Sequence, residues 1–187
     1  VPGETPTSTP IPTRAAGAAL APQPGGPVPG GWKIYRGPAT FPIVIAYPPD
    51  WTVDASLFPE QSVIFIVGPA GNVDEEESVE IIAGPQDADA NIDVLRDDFF
   101  YRKTPFCDQT GIEYTERRQL TGATFAILGA TCDQSGVLAF FQVASGLKGG
   151  DEWGIAMRTP YERKEQRLRE VFDPMLASVN VYALFER

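Results

Sequence analysis

From residue 31 onward the apolar positions follow two periods, one near 2 and one near 3.6, and the switches between them mark out the elements. Residues 32–35 (WKIY) read as a short strand. Residues 41–47 (FPIVIAY) read as a second, ended by Pro48, Pro49 and Asp50, and residues 51–53 (WTV) continue beyond that turn. Residues 62–67 (SVIFIV) form a continuous run rich in β-branched residues, the signature of a strand covered on both faces. Residues 77–83 (ESVEIIA) give another. A helix is predicted over residues 89–102, because Ile92, Leu95 and Phe99 share one face and Asp87 and Asp89 stand at its start as N-cap candidates. Strands are then expected at residues 111–119 and 124–131 about a turn at Thr121 and Gly122. Two more, residues 137–145 and 152–158, are expected as a hairpin across a turn at residues 146–150.

The last helix carries a start signal. Thr159, Pro160, Tyr161 and Glu162 spell a capping box with proline at the first helical position. Leu168, Val171, Phe172, Met175, Leu176 and Val179 then fall on one stripe, and Pro174 should bend or restart the helix. Residues 180–185 read as an edge strand or a tail.

Residues 1–30 have no period of either kind. Proline, glycine, alanine, threonine and serine supply nearly all of them, with one acid, Glu4, and one base, Arg14. Proline fixes φ and lacks an amide donor, so this stretch predicts an extended arm that is polyproline-like in places and does not fold alone. Its Thr-Pro repeats resemble the spacers that hold bacterial exported domains away from an anchor or wall. Two parts follow: an arm, residues 1–30, and one domain, residues 31–187. Pro10, Ile11, Pro12, Ala16, Leu20 and Pro22 are the arm residues expected to touch a partner. The basis is that small apolar side chains with free amides between prolines can lie along a sheet edge or in a groove. No stretch outside the arm approaches the roughly 20 apolar residues that span a bilayer. No basic and apolar leader opens the chain, so any signal peptide is expected to be already removed.

Composition narrows the chemistry. The chain has 187 residues, and 43% of them are hydrophobic, enough for a buried core. The net charge of −10 argues against nucleic acid and anionic lipid as partners. There is no histidine, which removes the histidine-based nucleophile arrangements and most zinc, copper and haem sites. Cys107 and Cys132 fit no metal spacing, and in an exported chain they are expected to pair as a disulfide, pinning the exit of the first helix to the sheet.

Residues 41–53 (FPIVIAYPPDWTV) resemble the opening of PsbP-like domains, a phenylalanine, an isoleucine and then Y-P-x-x-W-x-V. Met175, Leu176, Ala177, Ser178 and Val179 are similar to the closing segment of that family. The resemblance runs from about Trp32 to Val181. It implies an α+β fold, an antiparallel sheet flanked by two main helices in an α-β-α sandwich, here preceded by the extended arm. Plant members assist photosystem II, and bacterial relatives include lipoproteins of unknown role. No catalytic residues belong to the family, so none are carried over.

Several clusters have the residue types of a site. Asp87, Asp89, Asn91, Asp93 and Asp98 place oxygens as in half of an EF-hand loop. However, Ile92 stands where the turn needs glycine and Asp98 where it needs glutamate, so they read better as a carboxylate-rich helix start. No cofactor is expected. Asp74, Glu75, Glu76 and Glu77 read as a solvated acidic loop. Glu113, Glu116 and Glu152 are strand-surface carboxylates that could pair as in a glycosidase. Arg158, Arg163, Lys164, Arg167 and Arg169 alternate with Glu162, Glu165 and Glu170, which predicts i,i+4 pairing along the last helix. The reading that fits best is a non-enzymatic exported accessory or assembly subunit of an extracytoplasmic complex or filament. It would grip neighbouring protein subunits, copies of itself among them, through the arm. The alternative is a solitary ligand-binding lipoprotein-type domain on a tether.

Overall fold

The computed structural model describes residues 21–38, 41–54, 63–68, 77–85, 107–120, 123–148 and 151–182. Ten strands and one helix lie within them. The strands are β1 (Lys33–Arg36), β2 (Ile43–Tyr47), β3 (Thr52–Asp54), β4 (Val63–Val67), β5 (Ser78–Pro85), β6 (Gln109–Leu120), β7 (Ala123–Gln134), β8 (Val137–Lys148), β9 (Asp151–Pro160) and β10 (Asn180–Val181). Helix α1 covers residues 161–178. It is assembled from a 3-10 turn (Tyr161–Arg163), an α turn (Lys164–Arg167), a π turn (Leu168–Phe172) and a final α segment (Asp173–Ser178).

Every strand pairing is antiparallel. A small sheet has the order β1-β2-β10, and a large one has the order β3-β4-β5-β9-β8-β7-β6. The core lies between one face of the large sheet, helix α1 and the small sheet. Ile43 and Ile45 of β2 meet Ile127, Ile155 and Met157 of the large sheet and Val171, Phe172, Met175 and Leu176 of α1. A second apolar cluster on the other face of the large sheet joins Ala126, Leu128, Ala130, Ala139 and Phe141 to Cys107 and Cys132.

The Pro48–Asp50 turn closes with a hydrogen bond from the Trp51 amide to the Pro48 carbonyl, 3.2 Å, and turns Trp51 into the core as a buried anchor. Ser178, in the family-like closing segment, explains why that segment matters. Its buried hydroxyl accepts from the Ala46 amide at 2.9 Å and donates to the Met175 carbonyl at 2.6 Å, which ties the end of α1 to β2. Proline at position 174 cannot donate to the carbonyl four residues back. The chain answers with the π turn just before it, so the helix restarts there as expected.

Three expectations need correction, and a fourth lies outside the described residues. Thr159 does not cap α1. The N-cap is Pro160 with no side-chain hydrogen bond, because Thr159 is still in β9, paired with Phe140 of β8, and its hydroxyl bonds Glu77 instead. Residues 146–148 are not turn: pairing continues to Lys148↔Asp151. Strand β7 runs on to Gln134, and the next connection is a two-residue turn with positive φ at Ser135 (54°) and Gly136 (83°), the geometry of a type I′ hairpin. Finally, α1 is the one helix among the described residues. The helix expected over residues 89–102 lies outside them, so two main flanking helices are not established.

Candidate functional site

The seam where α1 lies on the large sheet gathers six of the charged side chains singled out in the sequence: Glu77, Glu113, Glu116, Arg163, Lys164 and Arg167. Three clusters follow one another along it. At its start, Glu77 enters from the edge of β5 and is only 3% exposed. It accepts from the Thr159 hydroxyl at 3.2 Å and from Arg167 Nε at 2.5 Å, with Arg163 3.8 Å away. The expectation of a solvated Glu77 is thus overturned: its partner lies 90 residues away on α1. A charge-assisted bond of this kind locks the helix onto the sheet.

In the second cluster Lys164 donates to Glu113 at 2.7 Å and stands 4.6 Å from the Tyr161 ring centroid and 5.5 Å from that of Phe140. The bond to Glu113 holds the ammonium above the usual lysine range. Glu113 reaches α1 because the register of β6 against β7 shifts between Ile112 and Tyr114. Such a bulge re-aims a side chain that regular alternation would send to the other face. In the third cluster Arg118 bonds Asp173 of α1 at 2.7 Å and Glu116 of its own strand at 2.6 Å.

These contacts revise the expected i,i+4 pattern. Gln166 does bond Glu170 at 2.8 Å, and Arg169 meets Glu170 at 3.1 Å. Arg163 and Arg167 instead turn to Glu77, just before β5, and Lys164 to Glu113 of β6, because the helix face that carries them is pressed on the sheet. Glu113 and Glu116 are each held by a base, and neither presents the paired free carboxylates that glycoside hydrolysis requires.

Between the clusters, Tyr114, Gly129 and Gln142 form one cross-strand row. Gly129 is required there, since a Cβ would run into the Tyr114 ring. Burial, then Asp173 and Glu116, push the Tyr114 hydroxyl up to about 12. The folded protein therefore keeps this proton above the pH at which the unfolded chain, near about 10, releases it. That contribution to stability is complete below about pH 10 and is lost as pH rises toward 12. Tyr114→Phe should flatten the fall of Tm across this window. An unchanged alkaline profile would contradict the assignment. Gln142 is 1% exposed; its amide faces the Tyr114 hydroxyl and partly offsets the rise in that group's pKa, but no hydrogen bond of regular geometry joins the two.

Cys107 and Cys132 are brought together, with sulfurs 2.02 Å apart at disulfide distance and Cα atoms 5.3 Å apart. Asp108 extends the clasp, accepting from the Ser135 amide at 2.7 Å, while Asp133 accepts from Gly136 at 2.9 Å. Of the arm residues, Pro22 is described, and its carbonyl accepts from Arg36 Nε at 3.1 Å. The Gln23 carbonyl accepts from Asn180 at 2.7 Å, and the Gly25 amide donates to the Ser178 carbonyl at 2.9 Å. Pro10, Ile11, Pro12, Ala16 and Leu20 lie outside the described residues. So do Asp87, Asp89, Asn91, Asp93 and Asp98, the calcium candidates. Among the described residues no group of three or more acids and cysteines is placed to hold a metal, and no helix is long and apolar enough to cross a membrane.

The order of strands and the helix across the small sheet can be set against solved structures. The solution structure of cyanobacterial PsbP from Synechocystis sp. PCC 6803 superposes with a TM-score of 0.60 at 15% identity, covering 91% of this chain and 98% of that one. The fold is PsbP-like. Two other structures share it at 12% identity. Saccharomyces cerevisiae Mog1p, a Ran-binding protein, has a TM-score of 0.57, with coverage of 80% of this chain and 95% of that one. A Pseudomonas aeruginosa protein of unknown function, described as a putative regulator, has a TM-score of 0.54, with coverage of 82% and 99%. No protein-family model matches the chain, and no curated protein matches its sequence. The PsbP-like fold is thus carried by the sheet order, with little sequence in common.

Proposed function

We propose that this chain is a non-enzymatic accessory or assembly subunit of an extracytoplasmic complex, with a body at residues 31–187 and an arm that engages neighbouring protein subunits. The observation that carries the reading is the root of the arm. Pro22, Gln23 and Gly25 are bonded to Arg36, Asn180 and Ser178, so the end of the arm is fastened to the body. Twenty residues in polyproline form reach roughly 60 Å, at about 3.1 Å per residue. An anchored root restricts where such an arm can search, which raises the effective concentration of the arm near a neighbour. The PsbP-like fold and the disulfide-distance cysteines support an exported accessory role. The seam supports a non-catalytic body, since Glu77, Glu113, Glu116 and Asp173 are each held by a base.

Deleting residues 1–20 while keeping residues 21–30 tests this. The shortened chain should unfold at the same temperature and yet leave its native assembly. If it enters the assembly as the full chain does, the arm is only a tether. A second reading, a ligand-binding domain on such a tether, is favoured by Gln142, a buried amide beside Tyr114 that is left without a hydrogen bond of regular geometry. In that case Gln142→Leu abolishes ligand binding, whereas the assembly reading expects the variant to assemble normally.

A further inference from the structure

The large sheet ends at β6, a twelve-residue strand whose one neighbour in the sheet, among the described residues, is β7. An edge of that length presents a row of backbone donors and acceptors to any strand that can match it. The bulge between Ile112 and Tyr114 interrupts the edge near its middle, and from Tyr114 to Leu120 the pairing with β7 is regular. Along this segment Tyr114, Glu116, Arg118 and Leu120 point to the α1 side, opposite Gly129, Ile127, Phe125 and Ala123. Thr115, Arg117 and Gln119 point to the other side and are exposed.

We propose that this segment is a self-association edge, at which two copies of the chain pair Tyr114–Leu120 antiparallel about a two-fold axis through Arg117. The proposal is independent of the arm. Directly opposed residues of an antiparallel pair share a face, so a two-fold edge contact can be centred only on a residue. Centring on Glu116 sets that carboxylate against its own copy, and centring on Arg118 does the same with two guanidinium groups. Centring on Arg117 sets Glu116 opposite the second copy's Arg118, and Arg118 opposite the second copy's Glu116. It also matches Thr115 with the second copy's Gln119, and Tyr114 with the second copy's Leu120. The regular segment is thus self-complementary in this register, and it is bounded by the bulge at one end and the last β6 residue at the other. Glu116 and Arg118 already touch within one chain at 2.6 Å and are both partly exposed, so the contact would close a ring of four alternating charges. The opposed pair of Arg117 side chains, on the far face, is the one like-charge contact and makes the dimer weak. Such pairing joins two sheets edge to edge and gives β6 a second neighbouring strand in each copy.

The test is the oligomeric state of the full chain by sedimentation velocity across the micromolar range. The chain should dimerise with concentration. Glu116→Arg alone and Arg118→Glu alone should each dimerise at least about tenfold more weakly, because two opposite-charge pairs become two like-charge pairs. An equimolar mixture of the two variants should regain dimer, since in the mixed pair each introduced charge faces its opposite. Arg117→Thr, which leaves the ring of charges and the bond to Asp173 intact, should tighten the dimer severalfold. A chain that stays monomeric throughout, variants that dimerise as well as the parent, a mixture that gains nothing, or a dimer weakened by Arg117→Thr would each overturn the proposal.

Discussion

Phe172→Ala should lower the free energy of unfolding by about 3–5 kcal/mol, the cost of emptying a large aromatic site in a packed core. Phe172 is fully buried and ends the π turn of α1. It shares the central cluster with Val171, Met175 and Leu176 of the helix and with Phe125, Ile127 and Ile155 of the large sheet. Because Pro174 and the π turn fix the backbone on one side, and the bond of Ser178 to Ala46 fixes it on the other, the helix cannot slide to refill the space. Urea unfolding checks this. A loss under about 1 kcal/mol, typical of surface positions, would mean that α1 does not cover the sheet as described.

Loss of the cysteine bridge should have an effect of similar size. Cys107 and Cys132 are 25 residues apart, and closing a loop of that length stabilises the fold by about 3.5 kcal/mol through the entropy of the unfolded chain. The bridge also fastens residues 107 and 108 to the β7–β8 hairpin, where the Asp108 amide meets the Asp133 carbonyl at 2.6 Å. The double variant Cys107→Ser/Cys132→Ser should therefore unfold at markedly lower temperature, and reductant should act on the parent protein alone. Non-reducing mass spectrometry should find about two hydrogens fewer per chain than the reduced mass. Two thiols open to alkylation in the native protein would contradict the pairing and weaken the exported assignment.

The strands were legible where local chemistry agreed with the fold. The run at residues 62–67 became β4, residues 77–83 became most of β5, and the apolar stripe of the last helix is the buried face of α1. What sequence could not supply was set by partners far along the chain. Thr159 has the spacing of an N-cap, yet β8 claims its backbone and Glu77 its hydroxyl. Glu77 sits in an acidic run that reads as solvated, and Arg167, with Thr159 and Arg163 beside it, makes its burial tolerable. The bases of α1 have i,i+4 partners available in sequence, but the sheet offers Glu113 and Glu77 on the side the helix buries. Lys164 and Glu113 also depend on a bulge, which leaves no mark in a period-2 pattern. Gln142 was missed for a plain reason: one glutamine in an apolar run, VLAFFQVAS, carries no signal of what its amide meets.

The central claim is that the chain works as a part held by others. It is tested most directly by the native mass of the protein extracted gently from its source. The account predicts a complex containing several protein chains, from which a chain lacking residues 1–20 is absent. A protein that runs as a single chain, with or without those residues, would contradict it.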